Sequence, residues 1–169
     1  VVADARAGLE ALTTALAGHR VADDYRAEVR ERVAAWQEVT EACYHADHGP
    51  LPAQTEVFGA LNELMRDTDV LVNAAGSMPG DLQALWRAAS PDQYHLEYGY
   101  SCMGYEIPAA LGVKLARPDA EVVALVGDGS YQMAPQEIAT LVAEGVKVIV
   151  VVLQNHGWAS IGALSESRG

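Results

Sequence analysis

An aspartate and an asparagine that end two apolar runs are the residues of this chain best suited to hold a hard cation. Val122 to Val126 is a run of β-branched and aliphatic residues that stops abruptly at Gly127-Asp128-Gly129-Ser130. A helical pattern spans about Pro135 to Glu144, and a second apolar run, Val146 to Leu153, stops at Gln154-Asn155-His156-Gly157. The order is strand, loop, helix, strand, and a right-handed crossover sets the two strands close together. In open parallel sheets, ligands bind where loops leave the carboxyl ends of strands. Asp128 and Asn155 both fall there. Two oxygen-bearing side chains beside glycine-rich backbone suit Mg²⁺, which takes oxygen ligands and keeps phosphate oxygens with it. A lone Gly-Asp-Gly is equally the signature of a plain turn.

The elements that would position these residues read off in order. Residues 4 to 17 form a helix with Asp4 as N-cap and Leu9, Leu12 and Leu16 on one face. A second helix spans about Ala22 to Ala46, with Tyr25, Val29, Val33, Trp36 and Val39 near a helical period. His45, Asp47 and His48 invite a metal reading, but His-Ala-Asp-His-Gly-Pro is better read as a helix end entering a turn. A boundary is expected there, with residues 1–50 as a helical linker and 51–169 as the compact domain. In that domain a helix is expected from about Ala53 to Arg66, and a buried strand from Asp69 to Ala74. The loop from Ala75 to Gly80 then opens a helix through Arg87, and helix starts attract anions. Tyr94 to Tyr100 reads as a strand leading into Ser101-Cys102-Met103-Gly104. The helix after it runs to Ala116, with Ile107, Leu111 and Leu115 as its core face.

Composition bounds the function. The 169 residues are 50% hydrophobic, enough for a real core. A net charge of −12 argues against nucleic-acid binding, which wants a basic face. Two cysteines with no Cys-x-x-Cys pair support neither a disulfide scaffold nor a thiolate zinc site. No signal peptide opens the chain and no apolar run is long enough to span a bilayer, so a cytoplasmic protein is expected. The chain starts without Met and ends on Ser-Glu-Ser-Arg-Gly, and is read as a piece of something longer.

Gly127-Asp128-Gly129, then 25 residues (130 to 154), then Asn155 resembles the diphosphate-and-magnesium motif of the thiamine-diphosphate enzymes. The usual motif ends in Asn-Asn, and His156 stands here in the second place. The longer run AAGSMPGDLQALWRAASPDQYHLEYGYSCMGYEIPAALGVKLA resembles the branch of that family that opens trihydroxycyclohexane-1,2-dione in inositol breakdown. The resemblance covers roughly residues 40 to 169. It implies a doubly wound α/β domain, a mostly parallel sheet with helices on both faces, C-terminally truncated and preceded by linker helices.

The resemblance also implies two cofactors, thiamine diphosphate and Mg²⁺, and assigns residues to them. Asp128 would ligate the metal through its carboxylate, Asn155 through its amide oxygen and Gly157 through its carbonyl. Gly127 and Gly129 would permit close backbone approach, while the Gly129 and Ser130 amides and the Ser130 hydroxyl meet phosphate. Gly76, Ser77 and Met78 would touch the diphosphate. Backbone groups of Ser101 and Met103 would bond the pyrimidine edge, with Cys102 between them where relatives carry a small polar residue. The Met103 side chain would prop the cofactor into its bent shape. His156 is a possible proton shuttle by position alone, and Trp158 either faces substrate or packs. A nucleophilic role for Cys102 lacks a basic partner.

The reaction so implied is hydrolysis of a carbon–carbon bond in a cyclic 1,2-diketone, giving 5-deoxy-glucuronate. The activating glutamate of the family lies on a separate pyrimidine-binding domain of the same or a second subunit. Glu97 and Glu106 do not occupy its place, so no catalytic residue is assigned in this chain, which alone is expected to be inactive. A homo-oligomer is implied, with no nucleic-acid or membrane partner. Two other readings stay open. An acetohydroxyacid-synthase-like carboligase or decarboxylase would share Gly127 to Gly157. A non-catalytic nucleotide-binding module would require a Gly-x-Gly-x-x-Gly after the first strand, which is absent.

Overall fold

The computed structural model describes residues 2–168. Two compact units divide the chain, one up to Thr40 and one from Glu41 onward.

The first unit is helical. Helix α1 (Ala5–Ala15) starts where the Asp4 carboxylate accepts the Ala7 amide at 3.0 Å, satisfying one of the amides a helix start leaves open. No residue of α1 is buried, and Leu9, Leu12 and Leu16 are all exposed. Helix α2 (Asp23–Tyr44) likewise exposes Tyr25, Val29, Val33, Trp36 and Val39. The apolar stripes read from the sequence therefore exist as stripes, and they face solvent.

The second unit begins inside α2, upstream of the Gly49-Pro50 turn where the sequence suggests a boundary. Tyr44 is the reason. Its ring is buried, its hydroxyl donates to the Leu85 carbonyl, and the Arg87 guanidinium lies 5.0 Å over its face. The last turn of α2 is thus tied to the body that follows.

That body is a four-stranded parallel sheet in the order β2-β1-β3-β4, with β1 at Val70–Asn73, β2 at Tyr94–Leu96, β3 at Val122–Gly127 and β4 at Ile149–Leu153. Side chains alternate across a strand, and here the two sets find different helices. Leu71, Val123 and Leu125 pack with Phe58 of α3 (Gln54–Leu64) and with Met78, Leu82 and Leu85 of α4 (Met78–Leu85). Val70, Val72, Val122 and Ala124 pack with Ala110 and Val113 of α5 (Glu106–Ala116). Every residue of β1 is buried, as in a strand covered on both faces. The helices α6 (Asp128–Tyr131), α7 (Glu137–Ala143) and α8 (Ala159–Arg168) complete the described chain. The doubly wound α/β expectation is met.

Four local expectations are not. The strand expected to run to Tyr100 ends at Leu96, because the Glu97 carboxylate accepts the amides of Tyr100 and Cys102 at 2.9 and 2.7 Å and folds the chain into a turn. The strand expected from Val146 starts at Ile149. The Val146 amide instead closes the end of α7 on the Leu141 carbonyl at 2.9 Å, a helix stop that works because Gly145 takes a φ of +64°. Gly127 to Ser130 is not a plain loop, since Asp128 opens the helical turn α6. Leu115, expected in the core, is 60% exposed at the end of α5.

Asp69 fixes the entry to the sheet. It is buried and accepts from Arg66 Nη2 at 2.7 Å, from the Arg66 amide at 2.9 Å and from the Glu121 amide at 3.2 Å. The Arg66 hydrogen bond is the largest cause holding its carboxyl below the usual aspartate range. A carboxylate with a depressed folded-state pKa stabilises the fold above its unfolded value and loses that contribution as pH falls through the folded one. Acid titration of stability is therefore expected to fall less steeply below about pH 4 in Asp69→Asn than in the parent. Parallel acid curves for the two would show that Asp69 makes no such contribution. Among the described residues, no helix is long and apolar enough to cross a membrane.

Candidate cofactor site

One cleft of about 270 Å³ opens at the carboxyl ends of β1, β3 and β4. Its walls carry Gly76, Ser77, Met78, Ser101, Met103, Gly127, Asp128, Gly129, Ser130, Asn155 and Gly157. Four separate stretches of sequence thus meet at one place. Of the cofactor residues assigned from the sequence, Cys102 alone is not in the wall.

Each wall has its local cause. Gly76 to Met78 leave β1 and start α4, with Pro79 in the first turn, where its missing N–H costs nothing. Ser101 and Met103 sit on the turn that Glu97 ties, and Ser101 holds a φ of +53°. Met103 is 37% exposed, so this thioether faces the cleft and is not core filler. Cys102 faces Glu97 instead. Partial desolvation and then the Glu97 charge raise its thiol pKa, which leaves little thiolate for nucleophilic chemistry.

Asp128 is the centre of the polar wall. Its Oδ1 accepts the Gly129 amide and its Oδ2 the Gly157 amide, each at 2.8 Å. The second bond ties the end of β3 to the loop after β4. The terminal amide group of Asn155 points at the Gly157 carbonyl oxygen at 2.7 Å and at Asp128 Oδ1 at 3.2 Å. With nitrogen at that position the amide donates to both. With oxygen there, a carboxylate, an amide oxygen and a carbonyl oxygen form a donor set that a cation can bridge. Mg²⁺ holds oxygens at 2.0–2.1 Å in an octahedron, which sets neighbouring oxygens about 2.9 Å apart. The donor set and its spacing therefore fit magnesium. The metal would rest on Asp128, Asn155 and the Gly157 carbonyl. Histidines and thiols take no part, and among the described residues no group of three or more His, Cys, Asp or Glu side chains gathers anywhere.

The anion half fits as well. α4 and α8 both begin at the cleft, and helix starts present unpaired amides and a positive dipole end. Ala75, Ala159, Ser160 and Ile161 also line the cleft, and sequence reasoning missed them. The signal was available for the last three, because Gly157 is a natural break before a new helix.

Three side chains behave differently from their sequence reading. The Ser130 hydroxyl is not offered to phosphate. Ser130 is buried, and its Oγ already lies 2.9 and 2.8 Å from the two oxygens of Glu106 and accepts the Gly104 amide at 2.8 Å. His156 is exposed, stands outside the cleft wall and carries a φ of +69°. Its backbone shape places Asn155 and Gly157, and an asparagine tolerates that conformation readily. Trp158 lies across Gly129, so close that a Cβ added there would sit 2.5 Å from the indole Nε1. It is a wall of the cleft, with 54% of its surface exposed.

Comparison with known proteins places the fold and the family. Residues 74–169 match the family model described as thiamine pyrophosphate enzyme, C-terminal TPP binding domain. The whole chain aligns with 3D-(3,5/4)-trihydroxycyclohexane-1,2-dione hydrolases, at 42% identity for that of Geobacillus thermodenitrificans and 37% for that of Clostridium tetani. It spans 30% of the length of each. Among solved structures, a thiamine diphosphate-dependent 4-hydroxybenzoylformate decarboxylase of Rhodococcus jostii matches 67% of this chain and 21% of its own, at a TM-score of 0.61 and 22% identity. That likeness bears on the fold. A putative thiamin diphosphate-dependent enzyme from Mycobacterium smegmatis matches 59% of this chain and 20% of its own, at a TM-score of 0.52 and 31% identity.

Proposed function

We propose, from the premise that this chain belongs to the thiamine pyrophosphate enzymes through their C-terminal TPP-binding domain, that it forms the diphosphate-and-magnesium half of an active site that opens a cyclic 1,2-diketone. The substrate proposed is trihydroxycyclohexane-1,2-dione of inositol catabolism, cleaved to 5-deoxy-glucuronate. One water is consumed, its oxygen ending in the new carboxyl group and a proton on the released carbon. The observation that carries the reading is the convergence of Asp128, Asn155 and the Gly157 carbonyl in the cleft that also holds Met103 and the start of α4. The relatives aligned over the whole chain point to this substrate.

When bound, thiamine diphosphate supplies the carbon nucleophile and the electron sink that such a cleavage needs. The chain's own residues do the rest of the holding. Asp128, Asn155 and the Gly157 carbonyl take the metal, and the starts of α4 and α8 receive the diphosphate. Backbone groups of Ser101 and Met103 would hold the pyrimidine portion, and the Met103 side chain would support the cofactor from the apolar wall. Trp158 lies against Gly129 as one wall of the cleft.

Among the described residues, the only carboxylate in the cleft wall is Asp128, which this reading gives to the metal. We assign activation of the aminopyrimidine to a glutamate on a pyrimidine-binding domain, from the same subunit or a second copy in a homo-oligomer. Cytoplasmic placement agrees with two free cysteines, one of them exposed.

The test is to mix the chain with thiamine diphosphate, Mg²⁺ and the diketone, with and without an added pyrimidine-binding domain, and follow acid release by NMR. Acid is expected only with the domain present. In a parallel mixture that offers pyruvate in place of the diketone, consumption of pyruvate while the diketone is left untouched would move the assignment to a carboligase or decarboxylase.

A further inference from the structure

We propose that Glu106 is a positioning residue: through the Ser130 hydroxyl it fastens the turn that carries Met103 to the turn that carries Asp128, so that two walls of the cleft move as one body. The inference rests on the reading of that cleft as a thiamine-diphosphate site.

Glu106 opens α5 and has no exposed surface, although glutamate is among the residues least often buried. A buried carboxyl group is costly unless hydrogen bonds meet it. Both of its oxygens lie against a single hydroxyl, Ser130 Oγ, at 2.9 and 2.8 Å. The same Oγ accepts the Gly104 amide at 2.8 Å. The chain of contacts therefore runs from Gly104 to Ser130 to Glu106. Gly104 is the neighbour of Met103, and Ser130 shares the helical turn α6 with Asp128. One hydroxyl links the apolar prop of the cleft to its metal-binding corner.

Gly104 itself leaves no room for a side chain. Its φ is +87°, and an added Cβ would meet the Met133 Cβ at 2.8 Å and the Ala134 Cβ at 3.3 Å. Glu97 holds the other end of the same turn through the Tyr100 and Cys102 amides. A helix start alone would be served by a solvent-facing glutamate. Burial of the carboxyl beneath two loops of the cleft is what a brace between those loops requires.

The experiment compares the parent with Ser130→Ala, Glu106→Ala and Glu106→Gln, using three readouts. The first needs no cofactor: hydrogen exchange at the Gly104 amide. Ser130→Ala and Glu106→Ala are each expected to release its protection by at least about tenfold, with the double variant adding little. The second and third are binding of Mg²⁺–pyrophosphate, which needs only the metal corner and helix starts, and of Mg²⁺–thiamine diphosphate, which needs both walls. Each alanine variant is expected to weaken thiamine diphosphate at least about tenfold while pyrophosphate changes less than about twofold. Glu106→Gln keeps an oxygen acceptor for the hydroxyl and should restore most of what Glu106→Ala loses. Parallel loss of both ligands, or loss of neither, would overturn the brace. If the parent binds no thiamine diphosphate, the proposed function falls. The brace is then judged on Gly104 exchange alone, and retained protection in either alanine variant would overturn it.

Discussion

Asp128→Ala is expected to weaken magnesium-dependent binding of thiamine diphosphate by at least about 100-fold, close to 2.8 kcal/mol. Two losses coincide in that substitution. The carboxylate is the only charged group of the three proposed to hold the metal. It also accepts the Gly129 and Gly157 amides, which hold the loop after β3 against the loop after β4. Asp128→Asn separates the two, because an amide keeps the size and one acceptor while losing the charge. Its affinity should fall between parent and alanine variant. The measurement is equilibrium dialysis at saturating Mg²⁺, with circular dichroism to confirm that the sheet is intact. Unchanged affinity in Asp128→Ala would remove the metal from this corner.

Phe58→Ala is expected to cost about 3–5 kcal/mol of stability. Phe58 has no exposed surface and is packed with Leu71, Leu82, Leu85, Val123 and Leu125, so truncation leaves a cavity under the sheet. Single domains are stable by only about 5–15 kcal/mol, so this is a large share of the total. The effect should reach the cleft. Met78 belongs to the same cluster and also lines the site, so a loosened core unseats the start of α4. Denaturant titration should show a lower midpoint in Phe58→Ala, and Phe58→Leu should recover most of it. A loss below about 1 kcal/mol would mean that the core collapses around the gap, and α4 would then keep its place.

How much of this was legible depends on whether the signal was local. The four strands and the placement of Asp128 and Asn155 at strand ends follow from apolar runs, turn residues and the handedness of crossovers, whereas Gly157 entered only through the family motif. Met103 was different. Its type says core, and only the family motif aimed it at a ligand. The shortened β2 was hidden because the alternation of Tyr94 to Tyr100 suits a strand, while the Glu97 side chain redirects the backbone. Ser130 misled for a related reason: a hydroxyl beside Gly-Asp-Gly suits phosphate, yet a carboxylate from another element claims it. Glu106 carried no sequence signal beyond an acid at a helix start. Contacts between distant stretches, unlike periodicity, leave no mark on either stretch alone. The exposed Leu115 shows the reverse limit, since helical spacing names a face without saying how far along it the cover extends.

The measurement that bears most directly on the half-site is calorimetric titration of thiamine diphosphate into this chain, with Mg²⁺ and then with chelator, beside a titration of NAD. Saturable heat that requires Mg²⁺, with none from NAD, is the expected result. Binding of NAD that ignores the metal, with no response to thiamine diphosphate, would contradict the account and leave a nucleotide-binding module in its place.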